Sequence, residues 1–414
     1  MRMLGLPIRF AGVVALGCML ALSAGPEARA GFVPSGADYL LTIQDSGGYF
    51  HDASPTSFYA STQGMIGLGM LTAYQQSCQT GCNASYLNSA VKLGDAMLDP
   101  QAHALIPSST SDAELYFDPG LNPTDRQNPI VWTQNTLFLQ RFSAATGNAA
   151  YSGFLQTQLW NKLTTGTYGA GVTSNAYAPT GVGANGFVAV VQARCDEYSP
   201  WCLAKPAVAA NLSHENGITS TLMLGIKTGL ENFSGPGDGT FGFEVLGLAA
   251  AIWASALTGI DLDPTTGWWA SANSTHDLAG MLAALIDGSG GFPPGIYPGA
   301  PATDLETTGN AVLALALIDP IAFHSEILDG LAFLKAQQEV GGCVDSDTTC
   351  LAGISGEVLQ YYADIVADDS GDTPVLRSPE EIIRLFYAPE PMSIALMGAG
   401  MIGFVVVRRR GRAA

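Results

Sequence analysis

Apolar residues recur along the chain every three or four positions, the spacing that lays one stripe down an α-helix. After Asn83, the residues Leu87, Ala90, Val91, Gly94, Met97 and Leu98 share a face. Val245, Ala249, Ile252 and Ala256 share another, with Trp253 beside it, and Ile327, Leu328, Leu331 and Leu334 a third. Alternation of period two, the mark of a half-buried strand, is scarce. Short extended pieces are expected only within 164–191, a stretch rich in Gly, Thr, Asn and Ala that reads as a long loop or small insertion. The pattern predicts an all-α body.

The helical stretches are punctuated by a recurring turn. Ile43-Gln44-Asp45-Ser46-Gly47-Gly48-Tyr49, Gly288-Ser289-Gly290-Gly291-Phe292 and Gln337-Gln338-Glu339-Val340-Gly341-Gly342-Cys343 each end a helix in paired glycines. Gly237-Asp238-Gly239-Thr240-Phe241-Gly242-Phe243 is a degenerate copy, and the last three copies lie about 50 residues apart. A second theme, Thr80-Gly81 leading to Tyr86-Leu87, is echoed by Thr146-Gly147 leading to Tyr151. A unit of about 50 residues holding two helices predicts a ring of helical hairpins. Inner helices would line an axis and pack on outer ones, and glycine would make the tight reversals because it reaches positive φ without strain.

The two ends differ from this body. Arg2 and Arg9, the apolar run Phe10–Ala24 and the small-x-small Ala28-Arg29-Ala30 form a signal peptide over 1–30. Signal peptidase is expected to cut between Ala30 and Gly31; a retained anchor, or a lipoprotein signal on Cys18, are the alternatives. At the other end Pro389-Glu390-Pro391 precedes an apolar run of 16 residues, Met392–Val407, and then Arg408, Arg409, Arg410 and Arg412. As a helix the run covers about 24 Å. Snorkelling arginines make up part of the difference from a hydrocarbon core of roughly 30 Å, and their charge favours the cytoplasmic side. Both ends therefore predict one topology, with the body 31–387 outside and the tail 388–414 crossing the inner membrane.

Of 414 residues, 47% are hydrophobic and only 13% charged, so the body needs a large core. The net charge is −19. The leader carries +2 and the tail +3, which leaves the body near −24. Such a surface keeps the body soluble, repels nucleic acid and anionic lipid, and leaves neutral or cationic partners. Six cysteines remain once Cys18 is removed: Cys78 and Cys82, Cys195 and Cys202, Cys343 and Cys350. Local pairs in an oxidising compartment favour disulfides. Zinc is the rival, but no C-x2-C pair or neighbouring histidine supports it, and no metal or cofactor is expected.

Two resemblances follow from these motifs. Pro389-Glu390-Pro391, the helix with Gly398, Gly400 and Gly403, and the arginine cluster resemble the PEP-CTERM sorting signal, with Ala388 standing where Val is usual. This implies an exosortase as processing partner, transient anchoring in the inner membrane, and a final place in the envelope or outside the cell. Asp304-Leu305-Glu306-Thr307-Thr308-Gly309-Asn310-Ala311-Val312-Leu313-Ala314-Leu315, followed by Leu331–Gln338 and Gly341-Gly342, resembles one repeat of the α/α-toroid proteins, the squalene cyclases and prenyltransferases. The Thr-Gly to Tyr-Leu theme is more similar to the six-hairpin glycosidases and lyases. Both imply a toroid over about Gly36–Ala363.

Chemistry is less legible. The cyclase D-x-D-D acid is absent: Asp261-Leu262-Asp263-Pro264 and Asp345-Ser346-Asp347-Thr348 begin it and fail. Glycoside hydrolysis needs two carboxylates astride the bond, which a toroid would carry at the N-terminal ends of its inner helices. Asp304 with Glu306, and Asp112 with Glu114, are candidates, with helix capping as the plainer role. His214, in His214-Glu215-Asn216, is a candidate lyase base or simply part of an exposed helix start. His51, His103, His276 and His324 are scattered, and there is no nucleophile elbow or phosphate loop. Trp268, Trp269 and Tyr297 could form a sugar platform or anchor a loop. Three readings result: a non-catalytic envelope or matrix protein whose toroid binds a ligand, for example a polysaccharide; a glycoside hydrolase or polysaccharide lyase acting on exopolysaccharide; and, more remotely, a relative of the terpenoid cyclases.

Overall fold

The computed structural model describes residues 31–51, 62–98, 133–161, 200–236, 244–344, 350–369, 371 and 373–387. The expected signal peptide up to Ala30, the 164–191 stretch, the degenerate glycine turn, and the tail with its sorting motif and apolar run lie outside these residues.

Among the described residues, twelve helices alternate between two environments. The odd-numbered ones are α1 (Phe32–Ile43), α3 (Ala84–Leu98), α5 (Ala149–Leu155, continued by a π-helical turn Gln156–Trp160), α7 (Asn216–Asn232), α9 (Thr275–Ala283) and α11 (His324–Ala336). The even-numbered ones are α2 (Gln63–Ser77), α4 (Thr133–Thr146), α6 (Pro200–Leu212), α8 (Glu244–Thr258), α10 (Leu305–Ile318) and α12 (Ala352–Ile365). Even helices are buried nearly all round, as at Leu246–Trp253 and Thr307–Leu317. Odd helices bury one stripe, such as Tyr86, Ala90, Leu93, Gly94 and Met97 on α3, and leave Lys92 and Asp95 in solvent. A helix that is apolar on every face belongs in an interior. The even helices accordingly pack in the closed order α2–α4–α6–α8–α10–α12 and back to α2, and each odd helix lies outside its neighbours. The fold is an α/α toroid of six hairpins.

Alternation makes the inner helices parallel, so the ring has two unlike ends. The outer-to-inner connections gather at the N-terminal ends of the inner helices, called here the mouth. The shorter returns, 78–83, 147–148, 213–215 and 319–323, gather at the base; the 259–274 connection starts there and runs up along α7. The paired-glycine turns all belong to the mouth. In two of them a short bridge closes the hairpin (Gln44 with Phe50, Gln338 with Val344), while in the third the Asp287 amide donates to the Gly291 carbonyl at 2.9 Å and Phe292 bridges on to Asp304; the residue after the glycines, Tyr49, Phe292 or Cys343, is buried. In each the second or first glycine has φ between 89° and 104° and lies against the backbone of the next outer helix: Gly48 at Lys92, Gly290 at Asp329, Gly342 at Ser35. The third contact joins the last hairpin to the first helix and closes the outer layer. The Thr-Gly themes lie at the base instead, where they end inner helices.

The tightest approach in the inner ring is also its seam. At Gly69 a Cβ would run into the Gly356 carbonyl, and at Gly356 into the Cα of Ile66 at 2.5 Å. Only glycine on both sides lets α2 and α12 meet this closely. Beyond α12, Val366–Asp368 (β1) pairs antiparallel with Val375–Leu376 (β2), a hairpin the scarcity of alternation did not predict. A last helix, α13 (Pro379–Tyr387), then crosses the base beneath α4, α10 and α12. Disulfides join Cys78 to Cys82 at the base and Cys343 to Cys350 at the mouth. Cys202 is also disulfide-bonded, while Cys195 lies outside the described residues. Among the described residues no helix is long and apolar enough to cross a membrane.

Candidate functional site

The mouth is where helix N-termini converge, so carboxylates there face positive partial charge. Asp304 caps α10: its Oδ2 accepts hydrogen bonds from the amide and the hydroxyl of Thr307, both at 2.7 Å. Burial raises its carboxyl pKa, against the pull of the Thr307 bonds. Glu244, the buried first residue of α8, accepts from the Ile296 amide at 2.9 Å. Gly295 lets that loop pass close over the carboxylate and over the ring of half-buried Tyr297.

One to two turns further in, the axis is crossed by polar side chains. Residues four apart share a helix face, and four inner helices supply them: Trp201 and Lys205 from α6, Trp253 from α8, Glu306 and Asn310 from α10, Glu357 and Tyr361 from α12. Helices α6 and α12 stand three places apart in either direction round the ring, so the ion pair between Lys205 and Glu357 spans it. Both residues are fully buried. The Lys205 ammonium also lies 4.7 Å from the ring centre of Trp201. The Tyr361 hydroxyl has Glu357 Oε1 and, at 2.9 Å, Asn310 Oδ1 as acceptors. Trp253 donates to the same Asn310 oxygen at 3.0 Å, and Asn310 Nδ2 donates to the Glu306 carbonyl at 3.0 Å. Burial, above all, drives the Tyr361 pKa well up, and the charges of Glu357 and Glu306 add to it. One phenol thus feels two carboxylates and stays protonated at neutral pH. Glu357 Oε2 is buried and has no hydrogen-bond partner among the described residues.

A second pair lies nearer the base. Arg141 of α4 grips Asp364 of α12 with two bonds of 3.1 Å, both groups buried, and its guanidinium lies 4.2 Å from the ring centre of Phe386 on α13. The two axial cations among the described residues are therefore each matched to a carboxylate. No group of three His, Cys, Asp or Glu among those residues could hold a metal ion.

Of the residues singled out in the sequence, Asp304 and Glu306 share the first turn of α10 at the mouth. Asp112 and Glu114 lie outside the described residues. His214 sits in the turn between α6 and α7 with φ of 61°, exposed and at the base, the opposite end from these carboxylates. Trp269 is 2% exposed and stacked on Phe233 with ring centres 5.8 Å apart, so it anchors its loop. Trp268, 48% exposed, lies against Gly235 just beyond the mouth end of α7 and offers a ring face to solvent. Sequence reasoning missed Lys205, Asn310, Tyr361, Glu357, Arg141 and Asp364. A signal was present for two of them: in a chain with so few charges, Leu203-Ala204-Lys205-Pro206-Ala207 and Gly356-Glu357-Val358 put a charge inside an apolar stretch.

No family model and no curated protein matches the chain. Among solved structures, the GH76A α-1,6-mannanase from Salegentibacter sp. HEL1_6 aligns with a TM-score of 0.48 and 14% identity, over 80% of this chain and 97% of its own. A glycosyl hydrolase family 88 protein from Bacteroides vulgatus aligns with a TM-score of 0.48 and 11% identity, over 80% and 97%. A possible GH105 member from Salmonella enterica serovar Paratyphi A gives 0.46 and 14%, over 83% and 96%.

Proposed function

We propose that the protein is an exported carbohydrate-active enzyme, a glycoside hydrolase whose site is the mouth of the toroid. The observation that carries this reading is the buried network across the ring, Lys205 paired with Glu357 and Glu357 bonded to the Tyr361 phenol, with Glu306 above it at the mouth. An apolar filling would close a ring of helices at lower cost, since each buried ion loses several kcal/mol of hydration. A buried ion pair kept in such a place, beside a phenol held protonated, is a candidate working site.

Hydrolysis asks for one carboxyl that gives a proton and one that activates water or attacks. Glu306, half-buried at the mouth, is placed to meet an incoming glycan, and Glu357, held by Lys205, is the second carboxyl. Tyr361 supplies a neutral donor beside Glu357. Trp268 at the rim offers a face on which a sugar ring can stack. Elimination on a polyuronate is the less favoured course: it wants a cation free to neutralise the uronate, and Lys205 and Arg141 are already paired. The acidic body points the same way, toward neutral or amino-bearing glycans.

The test is release of reducing ends from a panel of neutral and deacetylated exopolysaccharides by the purified body. Glu306→Gln and Tyr361→Phe should each lower kcat by about 100-fold or more while glycan binding persists, in line with the usual contribution of acid–base groups. Glycan binding with no turnover in the parent protein would overturn the enzyme and leave a binding module. Ultraviolet absorbance from unsaturated products would make it a lyase.

A further inference from the structure

The base of the toroid carries a feature the proposed activity does not use. α13 lies across it, with Phe386 under Arg141. Its last residue, Tyr387, bonds through its hydroxyl to the Leu257 carbonyl and to Asn211 Nδ2, at the C-terminal ends of α8 and α6. The chain therefore leaves the body from the middle of the base. Only Ala388-Pro389-Glu390-Pro391 separates Tyr387 from the apolar run that starts at Met392. Four residues reach at most about 14 Å when fully extended. A membrane holding that run must then lie against the base.

The surface around this exit suits such a neighbour. Ile321, in the turn after α10, is 88% exposed. Tyr387 itself is 40% exposed, an aromatic with a polar tip of the kind enriched at membrane interfaces. The body's strong negative charge works against anionic lipid, so the fit is to a neutral, zwitterionic leaflet.

We infer that, while its tail is inserted, the protein rests base-down on a zwitterionic bilayer, with Ile321 and Tyr387 at the interface and the mouth facing away. The inner helices, at about 1.5 Å per residue, then hold the mouth roughly 20 Å from the lipid. It would be open to a polymer in the aqueous space and turned from substrates embedded in the membrane.

The experiment uses the full chain reconstituted into phosphatidylcholine vesicles containing a headgroup spin-labelled lipid. A fluorophore is attached, in separate preparations, at Ile321→Cys and Val340→Cys. Val340 lies on a mouth hairpin and is fully exposed. Quenching at least threefold stronger at 321 than at 340 is the expected result. Equal quenching at the two, stronger quenching at 340, or a chain that alkaline carbonate strips from the vesicles would each overturn the inference. None of these readings depends on enzyme turnover.

Discussion

Glu357 and Lys205 occupy surroundings where neither charge is stable alone. Removing one partner of a buried pair strands the other, at a typical cost of 3–5 kcal/mol, whereas replacing both with apolar groups of similar volume is often neutral. Lys205→Met should therefore destabilise the fold by about 3–5 kcal/mol in urea denaturation, and Lys205→Met with Glu357→Leu should recover most of the loss. A double variant as unstable as the single one would show that the network around Tyr361 and Asn310 needs the carboxylate itself. The same residues show why the site was hard to read from the sequence. Asp304 and Glu306 stood out because a helix start announces itself through Asp304 and Thr307. Lys205 and Glu357 are 152 positions apart and meet only because their helices oppose each other in a closed ring, which no local spacing encodes.

At the scale of elements, glycine serves two different purposes and substitution separates them. Gly69 faces the backbone of α12, so Gly69→Ala must push two inner helices apart; overpacking of this kind costs typically 1–3 kcal/mol. Gly280, in outer helix α9, has nothing within 4 Å of its missing Cβ. There Gly280→Ala should stabilise by up to about 1 kcal/mol through helix propensity alone. Thermal melts of the two variants should shift in opposite directions, and a shared direction would contradict the assignment of α2 and α12 as the ring's closest pair. Helices α3, α8 and α11 were legible from periodicity, and the paired glycines announced their turns. The distinction between inner and outer helices was not legible in the stripe Val245, Ala249, Ile252 and Ala256 of α8, whose burial continues round every face. The β1–β2 hairpin left no signal, because two or three residues are too few to alternate.

For the whole molecule, the mouth and base differ in how they are fastened. The base is covered by α13. The mouth hairpin after α11 holds together the first and last parts of the body, with Gln338 Nε2 donating to the Phe32 carbonyl at 2.8 Å and Gly342 set against Ser35. The Cys343–Cys350 disulfide braces that hairpin over a separation of seven residues. A loop of this size is worth about 2 kcal/mol by chain entropy. Cys350→Ser should lower stability by about that amount in urea denaturation and expose the α1–α11 contact first, as faster amide exchange near Phe32 and Gln338. Unchanged exchange there would show that the joint holds without its staple.

The seam between α2 and α12 has a consequence for how the protein is made. About 290 residues separate Gly69 from Gly356, so at translation rates of 5–20 residues per second the early helix waits about 15–60 s for its mate. Through that interval the half-made chain shows a bare, glycine-lined flank with no partner to cover it. Long-range pairing of this sort is slow and prone to wrong association. A holding factor that shields α2 until synthesis ends should raise the yield of folded protein.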